Sequence, residues 1–311
     1  MIFSEKQLES FGTPPFKYET KQIIKTKDDI QKALDDNIPN VQIKEQFDLS
    51  SFKYDIYLQG SYKNSTNISK SSDVDIVIEL TSVYYPDLEL LNEGQKSKYN
   101  SSRNSSNYKF AHFKSEVQKA LVKEFGGKVI HRADKGIKFL EHDNYCNADV
   151  IPCFTHKQFT MFESYSNSRI NEGIEFITDS GTTIINYPHQ HYNSLTTKSQ
   201  STSGKYKETV RMFKTLKEEL IANQKINDGV AKSYYIENLL FNLHDDYFKG
   251  TYSERFKKIL NKLVKDYNDS LVGNYMCANN FQKLISSDTW SKNLLRQFLI
   301  GLTFIRDNNE F

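Results

Sequence analysis

Cysteine, proline, glycine and tryptophan are all scarce in this chain, and neither sign of charge is in surplus. Its 311 residues include three cysteines, six prolines, thirteen glycines and one tryptophan. Cys146, Cys153 and Cys277 form no Cys-x-x-Cys pair and cannot all be paired with one another, which suits a reducing, cytoplasmic setting. So little proline and glycine excludes collagen-like and low-complexity character. No stretch approaches the roughly eighteen apolar residues of a membrane span. The opening residues, MIFSEKQLESFG, lack the basic-then-apolar pattern of a secretory signal, so none is expected. Lys and Arg total 41 against 39 Asp and Glu, a net charge of +2, which is not the footprint of a protein that wraps duplex nucleic acid.

What the chain does have is length for a real core, with 19 tyrosines and 21 phenylalanines to fill it. Ile23, Ile24, Ile30 and Leu34 recur at helical spacing and predict a helix over 17–36, placed to run as a spine across two lobes. A short strand at 54–58 follows. Residues 92–107, NEGQKSKYNSSRNSSN, have almost nothing to bury and read as an exposed, mobile insertion. Phe110, Phe113, Val117, Leu121, Val122 and Phe125 share one face of a helix over 108–125, closed by Gly126-Gly127. Strand candidates lie within 128–142 and 145–154. The second half reads as a loop at 186–204, then helices over 205–222, from Ser233, over 253–268 and over 288–306. A mixed α/β lobe (1–185) and a helical lobe (186–311) are therefore expected, with the boundary somewhere in 155–205.

Five pieces carry the chemistry. Gly60-Ser61 is a turn whose free N–H groups and hydroxyl can hold phosphate oxygens. Asp73-Val74-Asp75 opens an apolar strand, IVIEL. Alternation puts Asp73, Asp75 and Val77 on one side and Val74, Ile76, Ile78 and Leu80 on the other. Nothing local neutralises the two acids, and like charges this close need a cation between them. Asp149, in NADVIPC, heads a second apolar strand segment and would complete a carboxylate triad able to hold two metal ions for phosphoryl transfer. Lys207, Arg211 and Lys214 form a basic stripe at i, i+4 and i+7 that could grip phosphates. Ser233 is a candidate helix N-cap, and Tyr234 beside it could stack on a base. Each piece alone has an ordinary structural explanation: a turn, a solvated edge, a charged helix face, a plain cap.

Their order resembles the polymerase-β-like nucleotidyltransferase superfamily. The blocks NYPHQHYN, GKYKETVRMFK and SYYIENLLFNL, following NADVIPC, resemble the bacterial CD-NTases, relatives of cGAS and oligoadenylate synthase, and among them the CdnE-like clade. The resemblance covers about residues 54–245. It implies an α+β architecture: a nucleotidyltransferase lobe with a mixed twisted sheet, a C-terminal helical lobe, and an active site in the cleft between them. By the same resemblance Asp73, Asp75 and Asp149 bind two Mg²⁺, which Mn²⁺ can replace. Gly60, Ser61, Lys207, Arg211, Lys214 and Ser233 hold the donor triphosphate, and Tyr234 stacks on its base. Family members join NTPs through a linear intermediate and cyclise it. The product is a second messenger in anti-phage (CBASS) signalling that acts on a separate effector. A monomer with NTP substrates and no membrane partner is expected.

Two other readings stand beside this one. A template-free transferase extending RNA or tRNA, or making linear oligonucleotides, would need a basic track that the near-neutral balance does not suggest. A degenerate, non-enzymatic binding module would be favoured by loss of an acid, and all three are present. The bases incorporated, cyclic di-GMP or cyclic UMP-AMP among others, are not encoded in spacing or composition.

Overall fold

The run VDIVIEL at 74–80 has five apolar side chains in seven positions and no glycine or proline, so it can be covered on both faces as a central strand. The computed structural model, which describes residues 3–14, 18–68, 73–286 and 291–308, places it so. Val74, Ile76, Val77, Ile78 and Leu80 are all buried. Val77, expected on the side of the acids, is as buried as its neighbours because that side is covered too. Residues 69–72 and the expected helix starts at 17 and 288 lie outside the described residues.

Contacts divide the chain into two compact units. The sheet unit is Lys17–Gln59 and Ser71–Pro188. The strands β1 (Tyr54–Gln59), β2 (Val74–Asp87), β3 (Ile130–Arg132), β4 (Ile137–Phe139) and β5 (Ala148–Ser164) are ordered β1-β2-β5-β4-β3. The β2–β5 pairing is parallel, and the others are antiparallel. The far half of β5 continues into β6 (Asn167–Ile177) and β7 (Thr183–Asn186), two antiparallel strands the sequence pattern did not announce. Helices α2 (Tyr18–Asn37) and α6 (Phe110–Phe125) pack on one another, α2 also on β1 and α6 on β5. A third helix, α3 (Asn40–Phe47), follows α2. At Gly136, in the turn between β3 and β4, a Cβ would lie 2.4 Å from the Val150 carbonyl oxygen, so only glycine lets this hairpin close against β5.

The expected mobile insertion is instead α5 (Glu93–Ser102) over most of its length. The Asn92 side chain accepts from the Gln95 N–H at 3.0 Å and caps it. Tyr99 is buried against Phe159, Phe162 and Leu91. One aromatic anchor therefore holds a helix whose other faces are polar.

The helical unit is Met1–Phe16, Gly60–Lys70 and His189–Phe311, so two short segments from the first half of the sequence group with the C-terminal helices. It contains α1 (Glu5–Gly12), α4 (Gly60–Asn64), α8 (Lys205–Ala222), α9 (Ser233–Phe241), α10 (Tyr252–Asn268) and α11 (Lys292–Asp307). The stretch expected as a loop at 186–204 is mostly the helix α7 (Pro188–Ser201). Pro188 sits at its first position, where no N–H is needed, and His191 and Leu195, one turn apart, are buried. Helix α8 lies at the centre, with Val210, Met212, Phe213, Leu216 and Leu220 fully buried and contacts to α1, α9, α10 and α11.

Candidate active site

The three acids are brought together in the sheet unit. β2 and β5 run parallel with Asp75 directly opposite Asp149, and Asp73 immediately precedes β2, which begins at Val74. On the far side of β5, antiparallel β4 places Lys138 opposite Asp149. On the far side of β2, antiparallel β1 places Gln59 opposite Asp75. Gln59, Asp75, Asp149 and Lys138 thus form one row across four strands.

The electrostatics of this row follow from its composition. Burial, then the charges of Asp149 and Asp73, push the Asp75 carboxyl up to about 7, although Lys138 and Lys135 oppose the shift. The Lys138 ammonium lies 2.5 Å from Asp73 Oδ2 and 2.7 Å from Asp149 Oδ1. Burial alone would lower its pKa, but hydrogen bonds to Asp149 and Asp73 raise it. The neutralising charge missing from the local sequence is therefore supplied from β4. Alternation carries the signal for it: in GIKFL, Ile137 and Phe139 are buried, so Lys138 must face the other way.

These residues fit a divalent cation. An ammonium already bridges two of the carboxylates, and burial with the charge of those two pushes the third up. The buried Gln59 Oε1, beside Asp75, has no hydrogen-bond partner among the described residues. With Lys138 between them, the acids are not gathered into a ready-made cage: no cluster of three or more His, Cys, Asp or Glu side chains among the described residues is set to hold a metal.

The other expected residues belong to the helical unit. Gly60 has a left-handed φ of 68°, which glycine adopts without strain, and Ser61 follows it in α4. The expected phosphate grip of Arg211 and Lys214 does not match the geometry. Lys214 Nζ donates to Glu237 Oε1 at 2.6 Å and to Thr66 O and Oγ1 at 3.1 Å each, so its three protons are all used, and the side chain is only 2% exposed. Arg211 donates to the Gly12 and Ser65 carbonyls, both at 2.6 Å. Glu237 also accepts from Thr66 Oγ1, from Asn64 Nδ2 and, at 2.7 Å, from His191 Nε2. Burial would raise the Glu237 carboxyl, but Lys214 and His191 hold it well below the usual carboxylate range. The two cations thus clasp the segment following Gly60-Ser61 rather than facing outward.

Lys207 is the partly exposed member of the stripe. Burial, then the neighbouring Arg211, lowers its pKa. Its ammonium and that of Lys63 flank the Tyr192 ring, 5.9 and 4.6 Å from the centroid. Ser233 is the first residue of α9, with Lys232 in the cap position, so its hydroxyl is exposed rather than used as the expected cap. The Tyr234 ring, 38% exposed, lies against His191 with centroids 4.7 Å apart. Sequence reasoning missed Glu237, His191, Thr66, Lys63 and Tyr192. Glu237 had a signal, being a lone charge in the apolar run YYIENLLF.

Two expectations follow. Lys214→Met removes the cation paired with buried Glu237 and should lower stability by roughly 3–5 kcal/mol, read from the denaturant midpoint; an unshifted midpoint contradicts the clasp. For Asp75, the folded state keeps its proton above the unfolded pKa near 4, so in EDTA stability should fall as pH rises from about 4 to 7. Asp75→Asn should flatten that slope and raise the melting temperature at pH 8; a variant whose melting profile retains the slope contradicts the assignment.

Comparison with known proteins places these features in a family. The cGAS/DncV-like nucleotidyltransferase C-terminal helical domain matches residues 193–304. The cyclic nucleotide synthase CdnE01 of Staphylococcus haemolyticus is 36% identical over 278 residues, 88% of this chain and 89% of the relative. The structure of Rhodothermus marinus CdnE c-UMP-AMP synthase with Apcpp and Upnpp superposes with a TM-score of 0.82 at 31% identity, covering 98% of this chain and 97% of that one. The structure of Elizabethkingia meningoseptica CdnE cyclic dinucleotide synthase with GTP and Apcpp does so at 0.76 and 30%, covering 96% and 97%. The chain belongs to the cGAS/DncV-like nucleotidyltransferases, as a CdnE-like member of the bacterial CD-NTases.

Proposed function

We propose that the chain is a cyclic dinucleotide synthase that joins two NTPs through a linear intermediate and closes it into a 3′,5′-linked ring. The observation that carries this reading is the register of Asp75 opposite Asp149, with Asp73 beside them. Asp73, Asp75 and Asp149 would hold two divalent cations, Mg²⁺ or Mn²⁺, through hard oxygen ligands. When bound, such ions lower the pKa of the acceptor hydroxyl and offset charge on the leaving pyrophosphate. Burial and the like charges of Asp149 and Asp73, which raise the Asp75 carboxyl, are what a bound cation would offset.

The helical unit would bind the nucleotide. Gly60 and Ser61 offer backbone N–H groups and a hydroxyl to the donor triphosphate, joined by the exposed Ser233 hydroxyl. Lys207 and Lys63 would supply the counter-charge. Arg211 and Lys214 support the same task by fixing the segment after the Gly-Ser turn. Tyr234, braced by His191, offers a ring face to a base. The cyclic product would act on a separate effector in anti-phage signalling. Relatives solved with uridine and adenosine analogues, or with GTP and an adenosine analogue, make the base pair a property to be read from the product.

The test is incubation with each labelled NTP, singly and in pairs, with Mg²⁺ or Mn²⁺, followed by phosphatase. A phosphatase-resistant product is expected, falling at least about 10²-fold in Asp149→Asn. Label that is only phosphatase-sensitive, or attached to RNA, contradicts ring closure and favours a linear or RNA-extending transferase.

A further inference from the structure

Lys138 has no part in the chemistry derived so far, yet two of the three acids are turned toward it. Its place is set by backbone pairing rather than by a flexible reach. Ile137, Lys138 and Phe139 pair with Val150, Asp149 and Ala148, and the hairpin carrying them closes against β5 only because residue 136 is glycine. Its ammonium spans Asp73 and Asp149 at 2.5 and 2.7 Å while its side chain stays 40% exposed. A part-exposed lysine is free to swing away on its four-carbon stem without disturbing the core, because Ile137 and Phe139 on either side hold the strand.

We propose that Lys138 is a built-in counter-ion that occupies the cation position of the ligand-free enzyme and is displaced when the metal–nucleotide complex enters. This rests on the reading of the three acids as metal ligands. The ammonium neutralises the acids that would otherwise repel one another, so they stay close without metal. It also competes with a divalent ion for the same carboxylate oxygens, so metal alone binds weakly. An entering NTP brings its own metal and a triphosphate that can receive the displaced ammonium. Lys138 is thus a positioning residue that ties metal occupancy to the presence of substrate.

The experiment measures Mn²⁺ affinity of the full chain without nucleotide, by electron paramagnetic resonance of free Mn²⁺, for wild type, Lys138→Met, Lys138→Arg, Lys135→Met and Asp149→Asn. Lys138→Met should bind Mn²⁺ about tenfold tighter or more than wild type. Lys138→Arg, which keeps the charge, should stay near wild type. Lys135→Met removes the same charge from an exposed site without a direct contact to the acids, and should change affinity much less. Melting in EDTA gives an independent readout: Lys138→Met should melt lower than wild type and gain more from added Mn²⁺. Equal Mn²⁺ affinity in Lys138→Met and wild type, or an equal gain in Lys135→Met, overturns the counter-ion role. Asp149→Asn separates the two levels: if it leaves Mn²⁺ binding intact, the metal-ligand reading itself is wrong. If it abolishes binding while Lys138→Met changes nothing, only the role of Lys138 fails.

Discussion

The parallel pairing of β2 with β5 imposes the constraint on which the site depends. It sets Asp75 and Asp149 opposite one another, with Asp73 at the head of the same strand. Strand pairing fixes side-chain neighbours far more firmly than a loop could, because a one-residue slip would turn every side chain of one strand to its opposite face and part the two acids. The apolar residues that bury β2, from Val74 to Leu80, therefore also hold the acids together. The sheet keeps a cost in place: carboxylates that repel one another, one of them raised to about 7. A cation relieves that cost. In the ligand-free chain the cation is Lys138, and the proposal is that a metal ion takes its place. On that proposal, the repulsion held in place by the sheet would become affinity for the metal.

The helical unit treats its charges in the opposite way. Lys214, Arg211, Glu237 and His191 are buried: Lys214 and His191 both donate to Glu237, and Arg211 donates to the Gly12 and Ser65 carbonyls. What they gain is shape rather than reactivity. Through Asn64, Ser65 and Thr66 they fix the stretch that follows Gly60-Ser61. The exposed Lys63 and the part-exposed Lys207 stand apart from this clasp, both beside the Tyr192 ring. A basic stripe on one helix thus splits into an inner part that positions and an outer residue available to an anion.

Much of this was legible in the sequence. Asp73, Asp75 and Asp149 announce themselves because each is fused to an apolar run that can only be a buried strand. Helix α8 was visible over its full observed length, Lys205–Ala222, because its apolar residues repeat at helical spacing. Among the helices that were not visible are α5 and α7. Helix α5 is anchored by Tyr99 and α7 by His191 and Leu195, so neither carries a stripe long enough to stand out from its polar composition. The role of Lys214 was hidden for a different reason. Whether a lysine at i+7 of a basic stripe faces solvent or a buried carboxylate depends on a partner 23 residues away, Glu237 on the next helix. Alternation in GIKFL sets the face on which Lys138 lies, but which acids it meets lies in the register of β4 against β5.

Whether these three aligned acids form a metal centre whose resident cation gives way to metal can be read in a crystal. The most direct measurement is the anomalous signal of Mn²⁺ in crystals grown with a non-hydrolysable NTP. Mn²⁺ is expected bound by Asp75 and Asp149, with Lys138 no longer spanning Asp73 and Asp149. Mn²⁺ found elsewhere, or Lys138 still bridging those two carboxylates beside the bound nucleotide, would contradict it.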